Sequence, residues 1–338
     1  MIAQRLTRSL AAALVCAGTA SAQNTAPPET MKALRIHAHG ETNDVLRYED
    51  APLPGAPGPG QVLIRVHAAG VIPGDWKSRN GRFGDVSRFM PFVMGYDASG
   101  VVESVGDGVT DLEPGDEVFG YLTYGGAFAE YAISDASVFA IKPENVPHEE
   151  AAGAPVSALA AWFALVERAE LKAGQTVLIQ AGAGGVGHYA VQIARSIGAE
   201  VYTTASPRNH EFLRALGATK VIDYRTQNFE DVVDDVDVVF DMIGGDVLER
   251  SYGVVKPGGY LVAITAQPDP DKLEAHGIRG SFLATPPDGA ALAKVAQLLA
   301  SGEVKTHISK VYDLSDAADA IAENEKGHTR GKLVIKIR

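Results

Sequence analysis

The amino-acid sequence predicts an α/β protein in which a small, irregular β-barrel precedes a doubly wound parallel sheet. A chain of 338 residues is long enough for two domains. Between Lys32 and about Lys142, short apolar runs with a period of two residues are interrupted by Gly and Pro, which is typical of short barrel strands. Beyond about Glu149, apolar strands alternate with amphipathic helices, as in a sheet covered on both faces.

The first thirty residues are predicted to lie outside both domains. Two arginines precede an apolar run over residues 10–17, and the small residues Ala20-Ser21-Ala22 follow it. This order is typical of a secretory signal peptide, and the run is too short to span a bilayer. We therefore expect a signal peptide over residues 1–22, a linker over residues 23–30, and a periplasmic or secreted protein. If translation instead begins at Met31, the protein is cytoplasmic.

Residues 31–150 are predicted to form the barrel domain. Val62–Val66 and Ala98–Val105 are rich in β-branched or small apolar residues and are expected to be strands. Between the start of the domain and the first of these strands, Leu53–Gly60 contains three prolines and three glycines and is expected to be a turn-rich loop.

Residues 151–305 are predicted to form the parallel-sheet domain. An Ala-rich helical segment is expected over Glu149–Ala169, before the first strand of this domain. The expected strands are Val177–Gln180, Glu200–Thr204, Lys220–Asp223, Val236–Phe240 and Tyr260–Ile264. The expected helices are Gly187–Ile197, Arg208–Leu216 and Gly289–Ala300. Residues 306–338 are expected to return to the barrel domain through the strand Lys332–Ile337.

A Gly-x-Gly-x-x-Gly motif directly follows the first strand of the parallel sheet. Gly182 allows the tight turn, Gly184 lets the backbone approach a pyrophosphate, and Gly187 lets the following helix pack against the strand. With Gly185 and Val186, this loop presents the free N–H groups of a helix N-terminus to the phosphates. Because a strand precedes the motif and an amphipathic helix follows it, we predict a dinucleotide site.

The residues after the second strand of this sheet favour NADP(H) over NAD. An acidic residue there would bind the ribose 2′-hydroxyl of NAD and repel a 2′-phosphate, but this segment carries none. Ser206 and Asn209 can donate hydrogen bonds, and Arg208 supplies positive charge. Tyr224, after the third strand, is expected to cover the adenine or reach the phosphate. In the alternative interpretation, Arg208 and Asn209 only cap the following helix.

Composition excludes several classes of function. The formal net charge is −12, whereas a protein that follows a nucleic-acid backbone needs clustered Lys and Arg. The single cysteine, Cys16, lies in the predicted signal peptide, so the mature chain would have no disulfide, no thiolate metal ligand and no cysteine nucleophile. We expect neither a nucleic-acid partner nor a membrane span.

Five stretches in order carry a family resemblance. They are GQVLIRV at Gly60–Val66, GYDASGVV at Gly95–Val102, GDEVFG at Gly115–Gly120, GAFAEY at Gly126–Tyr131, and the glycine loop at Gly182. Over residues 31–338 the chain resembles the medium-chain dehydrogenase/reductase superfamily, and most of all its zinc-free quinone oxidoreductase and enone reductase branch. The resemblance implies a GroES-like β-barrel catalytic domain, a Rossmann domain, an active site in the cleft between them, and a homodimer formed through edge strands of the Rossmann sheets.

Two positions depart from the zinc-binding members of that superfamily. Ile72 stands where those members have a cysteine ligand, and Tyr96 stands in the Gly-His-Glu motif in place of the histidine. Neither side chain is a zinc ligand, and the four-cysteine structural lobe is missing. We therefore expect no metal site.

Without a metal, the expected reaction is hydride transfer to a quinone or an α,β-unsaturated carbonyl, whose growing oxyanion needs only hydrogen bonds. Tyr96 is expected to donate to the substrate carbonyl or, alternatively, to form an aromatic wall beside the nicotinamide. Asp75 is expected to orient a neighbour. Lys77 flanks the same region, with a solvated surface residue as the alternative. Relatives often carry Asn and Thr where this chain has Ile72 and Ala160, so the substrate pocket is expected to be more apolar.

Further coenzyme contacts are expected at strand ends, because open α/β sheets bind ligands beyond the carboxyl ends of their strands. The candidates are Asp241, Gly244, Ile264, Thr265, Phe282 and Leu283. Lys332, at the start of the final strand, is expected to reach the coenzyme or, alternatively, to be a surface cation.

Three functions fit these features. The favoured one is an NADPH-dependent reductase of a small quinone or enone. An enoyl-thioester reductase would need a basic patch for the carrier phosphate, which the acidic sequence does not supply. A non-catalytic NADPH-binding sensor or structural protein is the third, and oxidation of NADPH by a panel of quinones would separate it from the first.

Overall fold

A computed structural model describes residues 30–338, so the predicted signal peptide and all but the last residue of the predicted linker lie outside the described residues. From residue 30 onward, the described chain first forms strands of two sheets and one short helix. These are β1 (Thr30–Ile36), β2 (Leu46–Pro52), β3 (Gln61–Gly70), α1 (Pro73–Arg79), β4 (Phe92–Val93), β5 (Asp97–Val105), β6 (Glu117–Tyr121), β7 (Tyr131–Asp135) and β8 (Phe139–Ile141).

Helices and parallel strands then alternate. The elements are α2 (His148–Ala152), α3 (Pro155–Trp162), β9 (Thr176–Ile179), α4 (Gly187–Ile197), β10 (Glu200–Thr204), α5 (His210–Leu216), β11 (Lys220–Ile222), β12 (Val236–Asp241), α6 (Gly245–Ser251), β13 (Val255–Ala263), α7 (Pro270–Ala275), β14 (Arg279–Phe282) and α8 (Gly289–Ser301). The chain continues with β15 (Ile308–Asp313), α9 (Ala317–Glu325) and β16 (Lys332–Lys336).

Strands β9 to β14 form one six-stranded sheet in the order β11-β10-β9-β12-β13-β14, and every neighbouring pair is parallel. Counted along the chain, this is the order 3-2-1-4-5-6 of a dinucleotide-binding sheet, with its crevice at the carboxyl ends of the central strands. Three of the four residues of β9 and five of the six of β12 are buried, because helices cover both faces. We call this part the parallel-sheet half.

The remaining strands form the barrel half. A seven-stranded sheet runs in the order β15-β16-β3-β5-β6-β8, with β7 also paired to β3, and β2, β1 and β4 form a second sheet. Burial alternates residue by residue along most of β3, because only one face of this strand points into the barrel. Strand β16 pairs antiparallel with β3, so the C-terminal segment completes the sheet of the N-terminal half.

Predicted and observed elements differ mainly where proline or glycine intervenes. The expected helix over Glu149–Ala169 is divided into α2, α3 and a π-helical stretch, because Gly153 ends α2 and Pro155 begins a new helix. The expected helix from Arg208 begins instead at His210, after a single 3₁₀ turn opened by Pro207. The expected helix Gly187–Ile197 has the predicted bounds, and it ends at Gly198 with a φ of 89°.

Each half has its own apolar core. The core of the parallel-sheet half includes Val177, Ile179 and Tyr189, and the core of the barrel half includes Ile64, Val66 and Phe128. Among the described residues, no helix is long and apolar enough to cross a membrane.

Candidate active site

The glycine loop connects β9 to α4 and is shaped by close backbone contacts. A Cβ on Gly187 would overlap the carbonyl oxygen of Ala181 and lie 2.6 Å from the Cα of Gly182, so only glycine fits there. A Cβ on Gly182 would overlap the hydroxyl of Thr203 on β10. A Cβ on Gly184 would meet nothing closer than 3.4 Å, so the outer side of this residue is open to a ligand.

A cavity of about 490 Å³ opens in front of this loop, and we call it the glycine-loop pocket. Its lining includes five of the predicted coenzyme residues, namely Gly184, Ser206, Arg208, Asn209 and Tyr224. Gln180, at the end of β9, also lines it and was not predicted. The amide nitrogen of the buried Gln180 has no hydrogen-bond partner among residues 30–338, while its amide oxygen accepts from Thr204. An unpaired buried donor costs about 1–3 kcal/mol, so the pocket suits a ligand that offers an acceptor there.

The far end of the glycine-loop pocket is tied to the C-terminal segment. One guanidinium nitrogen of Arg208 donates to the carbonyl of His328 at 2.7 Å. In return, Arg330 donates to the Asn209 side chain at 2.8 Å and to the Arg208 carbonyl at 2.7 Å. His328 belongs to the pocket lining. Arg330 was not predicted, because its partners Asn209 and Arg208 lie more than one hundred positions away along the chain.

The other predicted coenzyme residues lie around the loop and along the same sheet edge. Gly185 lies close to the start of β16. A Cβ added to it would be 3.6 Å from the Lys332 side chain and 3.6 Å from the Gly331 carbonyl oxygen. Val186 immediately precedes α4 and packs against the core of the parallel-sheet half. Ile264 and Thr265 follow β13. Phe282 ends β14 and is exposed, whereas Leu283 is buried. None of these side chains belongs to the lining of the glycine-loop pocket.

Asp241 is the last residue of β12 and holds the turn that follows this strand. Its buried carboxylate accepts hydrogen bonds from the backbone N–H groups of Ile243 at 3.1 Å and Gly244 at 2.9 Å. Burial raises the pKa of Asp241, and these two donors offset part of that rise. A Cβ on Gly244 would lie 2.6 Å from the hydroxyl of Thr265, so this glycine brings two strand ends together. Asp241 therefore shapes the crevice and does not itself line the pocket.

His188, directly after the glycine loop, was not predicted. Its ring nitrogen Nδ1 lies 3.0 Å from the Gly184 carbonyl oxygen, and its Nε2 accepts from the backbone N–H of His307 at 3.3 Å. The ring is fully buried, and burial lowers its pKa to about 3. Neutral His188, protonated on Nδ1, thus fixes the carbonyl of the residue that faces the pocket.

Lys332 is buried at the junction of the two halves, which contradicts the alternative that it is a surface cation. Its side chain is 2% exposed, and its ammonium lies 3.0 Å from the Ser157 hydroxyl and 3.6 Å from a carboxylate oxygen of Asp97. The other Asp97 oxygen accepts from the Val156 backbone N–H of α3 at 2.9 Å. Burial is the main cause that raises the pKa of Asp97 to about 6, although Lys332 opposes it. The Lys332 ammonium contacts these protein groups rather than the glycine-loop pocket.

A second cavity, of about 300 Å³, lies in the barrel half, and we call it the aromatic pocket. It is lined by Phe83, Gly84, Asp85, Val86, Phe89, Phe92, Tyr96, Tyr121, Thr123 and Tyr124. Tyr96 is only 4% exposed, and its hydroxyl is 2.7 Å from the buried hydroxyl of Ser78. Burial raises the pKa of Tyr96 to about 12. The sequence predicted Tyr96 for this site and missed Tyr121.

Asp75 and Lys77 do not line the aromatic pocket. Asp75 is wholly buried, and its carboxylate accepts from the Ile72 backbone N–H at 2.7 Å, so it fixes the start of α1. Burial raises the pKa of Asp75 well above its ordinary value. The ammonium of Lys77 lies 5.4 Å from the centre of the Trp76 ring, on a half-buried side chain. Among residues 30–338, no three His, Cys, Asp or Glu side chains are arranged to hold a metal ion.

Two family models match the chain. Residues 58–144 match the alcohol dehydrogenase GroES-like domain, and residues 216–335 match a zinc-binding dehydrogenase domain. The zinc-binding description belongs to the family model; in this chain the position predicted for a cysteine ligand holds the buried Ile72.

Curated relatives and solved structures extend over most of the chain. It is 37% identical to the chloroplastic NADPH-dependent alkenal/one oxidoreductase of Arabidopsis thaliana, over 91% of this chain and 80% of that protein. It is 36% identical to the 2-methylene-furan-3-one reductase of Solanum lycopersicum, over 91% and 79%. The structure of a quinone oxidoreductase from Coxiella burnetii superposes with a TM-score of 0.84 at 36% identity, over 91% of this chain and all of that one.

Proposed function

The chain belongs to the medium-chain dehydrogenase/reductase superfamily, among relatives that reduce quinones and alkenals, and we propose that it is an NADPH-dependent reductase of small quinones or α,β-unsaturated carbonyl compounds. One observation carries the proposal. The glycine loop opens onto a pocket whose far end presents Ser206, Arg208 and Asn209 and no carboxylate among its lining residues. This set of groups suits a 2′-phosphate.

The roles of the chain's residues toward the coenzyme follow from their positions. The N-terminus of α4 and the open side of Gly184 bind the pyrophosphate, since free N–H groups favour anions there. Gln180 offers its unpaired amide donor to the coenzyme. When bound, NADPH would supply a hydride. An enone would accept it at the β-carbon and then take a proton from water at the α-carbon, whereas a quinone would be reduced to the hydroquinone anion, which takes its proton at oxygen. The chain must then supply hydrogen-bond donors to the substrate oxygen, where negative charge develops.

The aromatic pocket supports a compact, neutral substrate. Its volume of about 300 Å³ is near the lower end for small-molecule sites. Its lining is mostly aromatic, and Asp85 is the one charged residue among the described residues that form it. A carrier-bound thioester would need cations for its phosphate, so this lining favours a free quinone or enone. We further propose that the reaction needs no metal, because Ile72 and Tyr96 occupy the positions of two zinc ligands and neither side chain binds zinc.

The principal test follows NADPH consumption by the purified protein. We expect turnover with cyclohexenone and with benzoquinone, and none with cyclohexanone, which lacks the activated double bond. Activity should survive dialysis against a chelator. The proposal is overturned if NADPH neither raises the melting temperature nor is consumed with any enone or quinone. NADPH binding without turnover would instead support the sensor or structural role.

A second test addresses coenzyme preference. Arg208→Glu should raise the Michaelis constant for NADPH about tenfold to a hundredfold, because a charge-assisted contact of about 1.5–3 kcal/mol is lost. The value for NADH should change much less. Arg214→Glu, at an exposed residue on the following helix α5 and outside the pocket lining, is the matched control. Equal effects of the two substitutions would remove Arg208 from the phosphate site.

We also propose a homodimer and export from the cytoplasm. Strand β14 is an edge of the six-stranded sheet and ends in the exposed Phe282, which suits edge-to-edge pairing of two copies. A monomeric mass in light scattering would contradict the dimer. Export is supported by the composition of residues 1–22 alone. N-terminal sequencing of fractionated cells tests it: a periplasmic protein beginning at Gln23 supports export, and a cytosolic one beginning at Met31 overturns it.

A further inference from the structure

Three phenols line the aromatic pocket, and the two that are less exposed, Tyr96 and Tyr121, differ in what their hydroxyl groups contact. The hydroxyl of Tyr96 is paired with the Ser78 hydroxyl at 2.7 Å, and both side chains are buried. The hydroxyl of Tyr121 makes no hydrogen bond to any of residues 30–338. The rings meet edge to face, with centres 6.3 Å apart. A ligand in this pocket therefore finds one phenol already engaged by a neighbour and one with its hydrogen-bonding capacity unused.

Tyr121 stands where the two halves of the molecule meet. It ends β6 and lies directly across from Asp97 of β5. Asp97 in turn accepts from the Val156 backbone of α3, which belongs to the parallel-sheet half. The Tyr121 ring packs against the apolar cores of both halves. A side chain at this junction can reach a substrate that lies between the barrel and a coenzyme held by the glycine loop.

The environment of Tyr121 keeps its phenol protonated. Burial raises the pKa of Tyr121, and the nearby carboxylate of Asp97 raises it further. The ring is half-buried, whereas the other two hydroxyl-bearing residues at the outer rim, Thr123 and Tyr124, are exposed. A donor shielded from water stabilises developing charge more strongly than one that water can replace.

From these contacts we propose that Tyr121, and not Tyr96, is the catalytic residue that donates a hydrogen bond to the carbonyl oxygen of the substrate. The assignment rests on the proposed reduction of enones and quinones. Tyr121 donates a hydrogen bond in this role and transfers no proton. The hydrogen bond from its O–H to the substrate oxygen becomes shorter as negative charge develops on that oxygen, and the phenol stays protonated throughout. Tyr96, paired with Ser78, forms an aromatic wall of the pocket.

Three matched phenylalanine substitutions test the assignment. Tyr121→Phe should lower kcat for cyclohexenone about a hundredfold, the usual effect of removing one oxyanion donor. Tyr96→Phe should lower kcat by less than about tenfold, because its hydroxyl contacts Ser78 and not the substrate. Tyr48→Phe, at an exposed tyrosine outside both the glycine-loop pocket and the aromatic pocket, is the control and should stay within about threefold of the unsubstituted protein. All three variants should keep the NADPH dissociation constant, measured by fluorescence titration. Equal losses in Tyr96→Phe and Tyr121→Phe, or a Tyr121→Phe variant within threefold of the unsubstituted protein, would overturn the assignment.

A second readout does not depend on turnover. With NADP⁺ in place of NADPH, cyclohexenone binds without reacting, and its carbonyl stretching band in difference infrared spectra reports hydrogen-bond donation. We expect the band to move to lower frequency in the unsubstituted protein and in Tyr96→Phe, and this shift to be lost in Tyr121→Phe. A shift that survives in Tyr121→Phe would overturn the assignment while leaving the proposed reductase function intact. Absence of both turnover and binding with every enone and quinone would instead overturn the reductase function, and the assignment with it.

Discussion

The glycine-loop pocket and the aromatic pocket are formed by different parts of the polypeptide. Around the glycine loop, backbone atoms of Ala181, Gly182 and Gly187 touch so closely that no side chain fits between them. The aromatic pocket is formed mostly by aromatic side chains, several of which are partly exposed. One pocket is therefore set by the course of the main chain and the other by the choice of side chains. This difference predicts that one added methyl group harms the first pocket more than a whole ring removed from the rim of the second.

The largest effect is expected at Gly187. Because a Cβ there would meet backbone atoms that cannot move aside, Gly187→Ala should lower the free energy of unfolding by about 5 kcal/mol or prevent folding. Denaturant unfolding measures this loss. Gly184→Ala is the matched control: it should unfold within about 1 kcal/mol of the unsubstituted protein yet bind NADPH weakly, since its Cβ would enter the ligand's space.

The second substitution in this comparison removes an aromatic ring from the aromatic pocket. Phe89→Ala, at a ring that is 50% exposed, should cost less than about 1 kcal/mol of stability. If Gly187→Ala and Phe89→Ala destabilise the protein equally, the distinction between a pocket set by the main chain and one set by side chains is wrong.

An effect of intermediate size, between those of Gly187→Ala and Phe89→Ala, is expected where the two halves are joined. Lys332→Ala would leave the buried Asp97 carboxylate without its cation, which costs about 3 kcal/mol. The double substitution Lys332→Met with Asp97→Asn should regain most of this loss, because it removes both charges. Thermal unfolding of both variants and of the unsubstituted protein measures the effect. A double variant no more stable than Lys332→Ala would show that Lys332 contributes by packing and not by compensating charge.

In mildly acidic solution, an effect smaller than that of Lys332→Ala is expected from His188, which contacts the glycine loop. Burial holds the pKa of His188 at about 3, below the ordinary value of 6.5. The unfolded chain therefore binds this proton more readily than the folded one, and stability falls as the pH drops from about 6.5 toward 3. At one pH unit below 6.5 the loss approaches about 1.4 kcal/mol.

Urea unfolding at several pH values tests this expectation. His188→Gln should lower stability at neutral pH and reduce its dependence on pH between about 6.5 and 3. His210→Gln, at a half-buried histidine on α5, is the matched control for the loss of one imidazole. An unchanged slope in His188→Gln would show that other groups cause the acid sensitivity.

The glycine loop could be predicted residue by residue because its requirements are local. A tight turn, a close approach of main chain and a helix start all occur within six consecutive positions, so the sequence itself contains the arrangement. The strands of the parallel sheet could be located for a related reason, since burial on both faces makes them apolar along their whole length.

The contacts of the barrel half and of the junction could not be predicted, because they join distant parts of the chain. Lys332 and Ser157 are 175 positions apart, and a single lysine at the start of a strand has no local feature that distinguishes a buried cation from an exposed one. Tyr96 was found through its place in a motif, yet nothing local shows that Ser78 engages its hydroxyl. Tyr121 follows a stretch that served only to identify the family, so its position across from Asp97 became visible only in the sheet register.

The pairing of β16 with β3 has a consequence for biosynthesis. During translation, β3 leaves the ribosome long before its neighbour in the sheet exists, and the edge it will share with β16 stays open meanwhile. The parallel-sheet half, whose strands are contiguous along the chain, can fold in this interval, whereas the barrel half must wait for almost the entire polypeptide. A nascent chain halted before Lys332 would therefore present an unpaired strand edge to chaperones and to other chains.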